Sequence, residues 1–255
     1  MLFASKNRKS GSKIFSLKFY LYSDTVPMTL IKNIIFDFGN VLFDLDLPAV
    51  ERNLRPLFGN SFDSALEKLR RDKVFELYET GGISTEEFVD TIRFSVQPAL
   101  SAAQVQAVWN SIFIEMPRHR FDMLLQLRQQ YKVFLLSNIN DLHERWIAEY
   151  MPREHGIADY ESRYFDGVYF SHLIRLRKPD RAIYEYVLAD AEILPEETVF
   201  FDDVEANIEA AKAVGIRGVL HPVGMEIGSM WRRYWGRVLA PLSPVTIELF
   251  ELSLI

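Results

Sequence analysis

The sequence predicts an α/β protein in which a doubly wound parallel sheet carries a small inserted helical domain. Three features lead there. Short apolar runs recur and end in polar residues, helical patterns separate them, and one interval is too long for a single crossover. The first run is Asn33-Ile34-Ile35-Phe36, ending at Asp37. The second is Lys132-Val133-Phe134-Leu135-Leu136-Ser137, and the third is Thr198-Val199-Phe200-Phe201-Asp202-Asp203. Weaker copies stand at Gly167-Val168-Tyr169-Phe170-Ser171 and Arg217-Gly218-Val219-Leu220-His221. Runs that are apolar at every position suit a parallel sheet covered on both faces.

Helices are expected between them. Arg118 to Gln130 places Met123, Leu124 and Leu127 on one side, and Asp141 is the expected cap of a helix carrying Leu142, Trp146 and Ile147. Pro179 and Asp180 open a helix with Ile183, Tyr186 and Val187, and Val204 to Val214 ends at Gly215, a C-terminal cap residue. Between the first two strands lie three further apolar patterns: Phe62, Leu66 and Leu69; Phe88 and Ile92; Val105, Val108, Trp109 and Ile112. Ser84 with Glu87, and Ser101 with Gln104, have the spacing of capping boxes. The core is therefore expected over residues 28–47 and 118–225, with a helical cap domain at residues 48–117.

The composition supports a globular domain, with 49% hydrophobic and 25% charged residues. Cysteine is absent, which excludes disulfide and thiolate chemistry and fits a cytoplasmic setting. A net charge of −6 argues against a general nucleic-acid surface, so cations for an anionic ligand must be concentrated locally. No apolar run is long enough to span a bilayer. Residues 1–27 are basic and are expected to be a disordered or mis-started extension, with Met28 as an alternative first residue. Residues 226–255 carry no assigned role; the aromatic stretch Met230 to Trp235 is expected to pack on the core or form an oligomer contact rather than lie on a membrane.

Ligands of open α/β sheets bind beyond the carboxyl ends of the strands. Asp37, Ser137 and the pair Asp202-Asp203 stand there, and Lys178 precedes the next helix in Arg177-Lys178-Pro179. Converging carboxylates repel one another unless a cation lies among them, and an oxygen-only set favours a hard ion such as magnesium. A carboxylate can attack phosphorus, while a lysine and a serine hydroxyl supply charge and a donor to phosphate oxygens.

The segments Asp37-Phe38-Gly39-Asn40-Val41, Leu135-Leu136-Ser137-Asn138, Arg177-Lys178-Pro179 and Phe200-Phe201-Asp202-Asp203 resemble the four ordered motifs of haloacid dehalogenase superfamily hydrolases. Asp37, Ser137, Lys178 and Asp202 follow one another at 100, 41 and 24 residues, and the long first interval is where that superfamily inserts a helical cap. The resemblance implies a Rossmann-like core and an aspartyl-phosphate mechanism. Asp37 would be the nucleophile and a metal ligand, and the Gly39 carbonyl with Asp202 and Asp203 would complete the Mg2+ site. Ser137, Asn138 and Lys178 would bind the phosphoryl group.

One position departs from that pattern. Most phosphatases of the superfamily carry a general acid two residues after the nucleophile, where this chain has Gly39. Asp44 and Asp46 are the candidates to replace it, with His143 and His172 more remote. Asp-x-Gly-Asn-Val followed by Asp-x-Asp is similar to a bacterial subgroup acting on glucose 1-phosphate, whose anomeric leaving group demands less of an acid. The expected activity is hydrolysis of a small sugar phosphate. The alternatives are an impaired phosphate-binding protein and a metal-independent 2-haloacid dehalogenase, which would lack the acidic pair. Glu79, Thr80 and Gly81 are candidates for substrate specificity, and His119, His155 and His221 are expected on the surface or in loops.

Overall fold

The computed structural model of the protein describes residues 31–96 and 99–229; the basic extension and the stretches from Met230 to Trp235 and from Val245 to Ile255 lie outside them. Five strands form one sheet: β1 (Asn33–Phe36), β4 (Lys132–Ser137), β5 (Gly167–Phe170), β6 (Thr198–Asp202) and β7 (Arg217–Leu220). Their order is β5-β4-β1-β6-β7, and every pair is parallel. β1 therefore sits in the middle, with Phe36 opposite Leu135 on one side and Phe201 on the other. Successive side chains alternate between faces. Ile34, Phe36, Leu135 and Phe201 enter one core with Phe121 and Leu124 of α6 (Arg118–Leu127). Ile35, Phe134 and Phe200 enter the other, against Ile183 of α10 (Arg181–Asp190) and Ile208 of α11 (Glu205–Ala213). Burial on both faces is why the strands read as unbroken apolar runs.

The long interval is helical, with five helices where three patterns stood out. They are α1 (Pro48–Phe58), α2 (Phe62–Arg71), α3 (Val74–Glu79), α4 (Thr85–Arg93) and α5 (Ala102–Trp109). Both capping boxes form, at Ser84 with Glu87 and at Ser101 with Gln104. These helices share a hydrophobic cluster of their own, which includes Phe62, Leu69, Tyr78 and Phe88 and takes Leu142 from α7 (Asp141–Tyr150). A short antiparallel ribbon joins their two ends, pairing β2 (Asp44–Leu45) with β3 (Phe113–Glu115). Strands of two and three residues are too short for periodicity to register. The remaining α-helices are α8 (Tyr160–Tyr164) and α9 (Ser171–Ile174), on either side of β5. Among the described residues no helix is long and apolar enough to cross a membrane.

At α7 the cap is Asn140 rather than Asp141: its side chain accepts from the His143 backbone N–H at 3.1 Å. Asp141 lies in the first turn and pairs with Arg145. Gly215 takes φ 91, as a helix-terminating glycine does.

His143 fastens α7 to the end of α5. Its Nε2 lies 3.1 Å from the Trp109 carbonyl, which can only accept, so Nε2 carries the proton. Nδ1 then accepts from the Asn140 amide at 3.2 Å, and the ring stacks on the Trp109 indole. Burial pushes the imidazole pKa down to about 4, against a smaller upward pull from the Trp109 carbonyl. The unfolded chain therefore takes up this proton first. The stability that neutral His143 supplies is present above its ordinary pKa of about 6.5 and is lost as pH falls toward 4, by up to about 3 kcal/mol. We expect urea denaturation of the wild type to weaken over that window, and His143→Gln, weaker at neutral pH, to show a flatter dependence.

Candidate functional site

The carboxyl edge of the sheet gathers Asp37, Ser137 and Asp202 because β1, β4 and β6 are adjacent and end level with one another. Asp37 continues β1: its backbone N–H donates to the Phe201 carbonyl at 2.8 Å. The Lys178 ammonium lies at the centre, 2.7 Å from Asp37 Oδ1 and 2.7 Å from Asp202 Oδ2, and also donates to the Leu136 carbonyl at 3.0 Å. Its side chain is 1% exposed. A buried ammonium needs such partners, since an uncompensated charge there costs several kcal/mol. Burial alone would lower the Lys178 pKa, but the two carboxylates more than offset this and hold it above the ordinary lysine value.

Phe38 N–H also donates to Asp37 Oδ1, at 2.7 Å, so Oδ2 is the oxygen these two donors leave unengaged. Asp202 is fully enclosed. Val204 N–H and the Asn207 amide hold Oδ1 at 2.8 and 2.9 Å, and Asn207 reaches Oδ2 at 3.0 Å. Asp203 is only partly buried, and its Oδ2 accepts from the Asn40 amide at 3.0 Å. One carboxylate oxygen from each of Asp37, Asp202 and Asp203 lies within 4.8 Å of the others.

These groups carry three negative charges against one from Lys178, which leaves a formal deficit of two positive charges. Burial pushes the Asp37 carboxyl up to about 7; Lys178 pulls it down and Asp202 pushes it further up. Burial raises Asp203 as well, opposed by the Asn40 hydrogen bond and reinforced by Asp202. An oxygen-only donor set with an uncompensated charge of that size fits magnesium.

Ser137 ends β4 and is buried; among the described residues no protein group pairs with its hydroxyl. Asn138, expected at the phosphoryl group, engages Lys178 through its side chain. Its amide donates to the Lys178 carbonyl and its oxygen accepts from the Lys178 N–H, both at 2.9 Å, so it clamps the lysine main chain. Gly39 lies in the turn that pairs it with Phe43. A Cβ at residue 39 would stand 2.6 Å from Leu45 Cδ1, so a side chain there requires Leu45 to move.

Asp44 and Asp46, the candidates to replace the missing acid, both pair with arginines. Asp44 pairs at 2.8 Å with Arg120, a buried guanidinium that also holds Glu226 and the Leu42 carbonyl. Asp46 pairs with Arg52, whose hydrogen bonds hold its carboxyl below the ordinary value. His172 is tied to Glu144 and the Ile139 carbonyl. His221, expected on the surface or in a loop, follows β7 and is buried. Thr80 Oγ1 donates back to the Glu76 carbonyl at 2.8 Å, and Glu79 pairs with Arg177 at 2.9 Å.

Two asparagines outside the sequence-predicted set, Asn40 and Asn207, orient the acidic pair. Asn40 adopts φ 56, a conformation asparagine tolerates, which points its amide at Asp203. Asn207 sits in the first turn of α11, close behind the acidic pair. That spacing was its signal.

A family model for haloacid dehalogenase-like hydrolases matches residues 31–215. The chain belongs to that family. It is 30% identical over 206 residues to a D-ribitol-5-phosphate phosphatase of Bacteroides thetaiotaomicron, covering 80% of this chain and 96% of the relative. A haloacid dehalogenase family enzyme of the same organism, solved with magnesium and inorganic phosphate, superimposes with a TM-score of 0.71 at 34% identity. That match covers 79% of this chain and all of the other. An L-2-haloacid dehalogenase matches at a TM-score of 0.53 and 17% identity, over 80% of this chain and 99% of its own, and shares the fold alone.

Burial favours a proton on Asp37, and a metal bound at that carboxylate would compete with it. We expect magnesium affinity to rise as pH increases through about 7, with proton release on binding, read by calorimetry in buffers of different ionisation enthalpy. Saturating magnesium is expected to raise the melting temperature, corresponding to about 2.7 kcal/mol at 100 times Kd. Asp203→Asn should lose most of that gain.

Proposed function

We propose that the protein is a magnesium-dependent phosphomonoester hydrolase acting on a small phosphorylated sugar, with glucose 1-phosphate among its candidate substrates. The observation that carries this reading is Lys178, buried between Asp37 and Asp202 beside a third carboxylate at the carboxyl edge of the sheet. Phosphoryl transfer needs positioning and charge neutralisation more than elaborate covalent chemistry. Asp37 Oδ2 attacks phosphorus, the bond to the sugar oxygen breaks, and an aspartyl-phosphate forms; water then releases phosphate and restores the carboxylate. Asp37, Asp203, Asp202 and the Gly39 carbonyl would hold magnesium, which would supply positive charge against the phosphate. Lys178 and the Ser137 hydroxyl hold the phosphoryl oxygens. The family membership and the phosphatase relative support this chemistry.

Gly39 bears on the choice of substrate. No side chain there can protonate the leaving oxygen, and general acid help is worth about 10²–10⁴ in rate. A less basic anomeric leaving group tolerates that loss. The same position favours a second reading, a phosphate-binding protein without turnover. The dehalogenase alternative is disfavoured by the retained pair Asp202-Asp203.

The test is magnesium-dependent phosphate release from a panel that includes glucose 1-phosphate and ribitol 5-phosphate. Wild type is expected to turn over at least one of them, and Asp37→Asn to lose about 10³-fold or more. Equal, slow release by both proteins would sink the catalytic reading. Magnesium-dependent binding of a phosphate analogue without turnover would favour the second.

A further inference from the structure

Glu79, the last residue of α3, bonds to the residue that precedes the buried lysine. Its Oε2 lies 2.9 Å from Arg177 Nη2, with both side chains about one-third exposed. Among the ion pairs of the described residues, this is the one that joins helices α1–α5 to the sheet side of the molecule. The turn after α3 is docked by main-chain contacts as well. Ser171 Oγ, on the first residue of α9, donates to the Glu79 carbonyl at 2.6 Å and accepts from the Ile139 N–H at 3.0 Å. Gly81 has φ +64, and a Cβ on it would stand 2.5 Å from the His172 carbonyl. Glu79 is thus delivered to Arg177 by a turn seated on the same edge that bears Ser137 and Asn138.

The short segment holding Lys178 has two lateral holds. Asn138 clamps the Lys178 main chain from β4, and Glu79 grips the neighbouring guanidinium from the helical side. The Lys178 tip meets Asp37 and Asp202 at 2.7 Å each, so small displacements of its backbone are felt at the phosphoryl position. Burial raises the Glu79 carboxyl, and the Arg177 guanidinium opposes this.

We propose that Glu79 is a positioning residue for Lys178, acting through Arg177, so that seating of the helical segment brings the phosphate-binding lysine into register. This rests on the phosphohydrolase reading above. It assigns Glu79 a role independent of the sugar, in contrast to a role in specificity.

The test uses the full-length chain with Glu79→Gln, Glu79→Asp and the charge swap Glu79→Arg with Arg177→Glu. Turnover is measured on glucose 1-phosphate and on 4-nitrophenyl phosphate, which has no sugar hydroxyls. Binding of inorganic phosphate with magnesium is measured by calorimetry, and melting temperatures confirm that each variant folds. Glu79→Gln is expected to lower kcat about tenfold on both substrates, since misplacements near 1 Å cost up to about 10² in rate. It should weaken phosphate binding about tenfold, and the charge swap or Glu79→Asp should recover part of both losses. A loss confined to glucose 1-phosphate, with phosphate binding intact, would overturn the proposal in favour of sugar recognition. So would unchanged kcat and phosphate affinity in Glu79→Gln, or a folded pair of rescue variants that recovers neither. If wild type binds phosphate but turns over neither substrate, the phosphatase reading fails alone, and the phosphate affinities still decide the role of Glu79.

Discussion

The buried ammonium of Lys178 is the interaction on which the rest of the site depends. Placed among Asp37, Asp202 and the Leu136 carbonyl, it ties three adjacent strands together at one edge. Removing either carboxylate leaves a charge in a dry environment, and removing the lysine leaves two carboxylates facing one another. The cluster is nonetheless unbalanced, because Asp203 adds a further negative charge. That imbalance is what a divalent cation is suited to fill.

The supporting residues divide their work by element. Asn207 and the α11 backbone hold Asp202 rigidly, so this carboxylate anchors the lysine. Asn40 holds Asp203 more loosely, from the turn that follows β1, and the same side chain accepts from the Leu45 N–H at 3.2 Å. The acidic edge is therefore coupled to the ribbon at the base of the helical segment. Arg120 continues that coupling, since it binds Asp44 of the ribbon and Glu226 near the end of the described chain. Asp44 and Asp46 are parts of this brace, which explains why acids so close in sequence to Asp37 face arginines.

The turn after β1 also bears on the chemistry. At residue 39 the nearest atom to any added Cβ is apolar, a methyl of Leu45. An aspartate introduced there would have to displace that methyl before it could serve as an acid. The helical segment contributes through contacts of two kinds. His143 fastens the end of α5 through a neutral imidazole, while Glu79 reaches the lysine segment with a charge.

The fold and the chemical identity of the edge were legible in the sequence. Unbroken apolar runs mark strands buried on both faces, and the polar residue ending each run stands where such sheets bind ligands. Asp37, Ser137, Lys178 and Asp202-Asp203 were identifiable for that reason, as were both capping boxes, which are local patterns. The partners of each side chain were not legible, because they are set by strand order and loop path. That Asn138 clamps Lys178, that Asn40 turns to Asp203, and that Asp44 and Asp46 pair with Arg120 and Arg52 depend on segments far apart in sequence or on single backbone angles. The two-residue strand β2 was likewise invisible, since pairing with β3 rather than any intrinsic periodicity defines it. The sequence by itself determined which groups stand at the edge. Only the tertiary structure decided which of them are free for a ligand, because hydrogen bonds and ion pairs between distant segments use up the others.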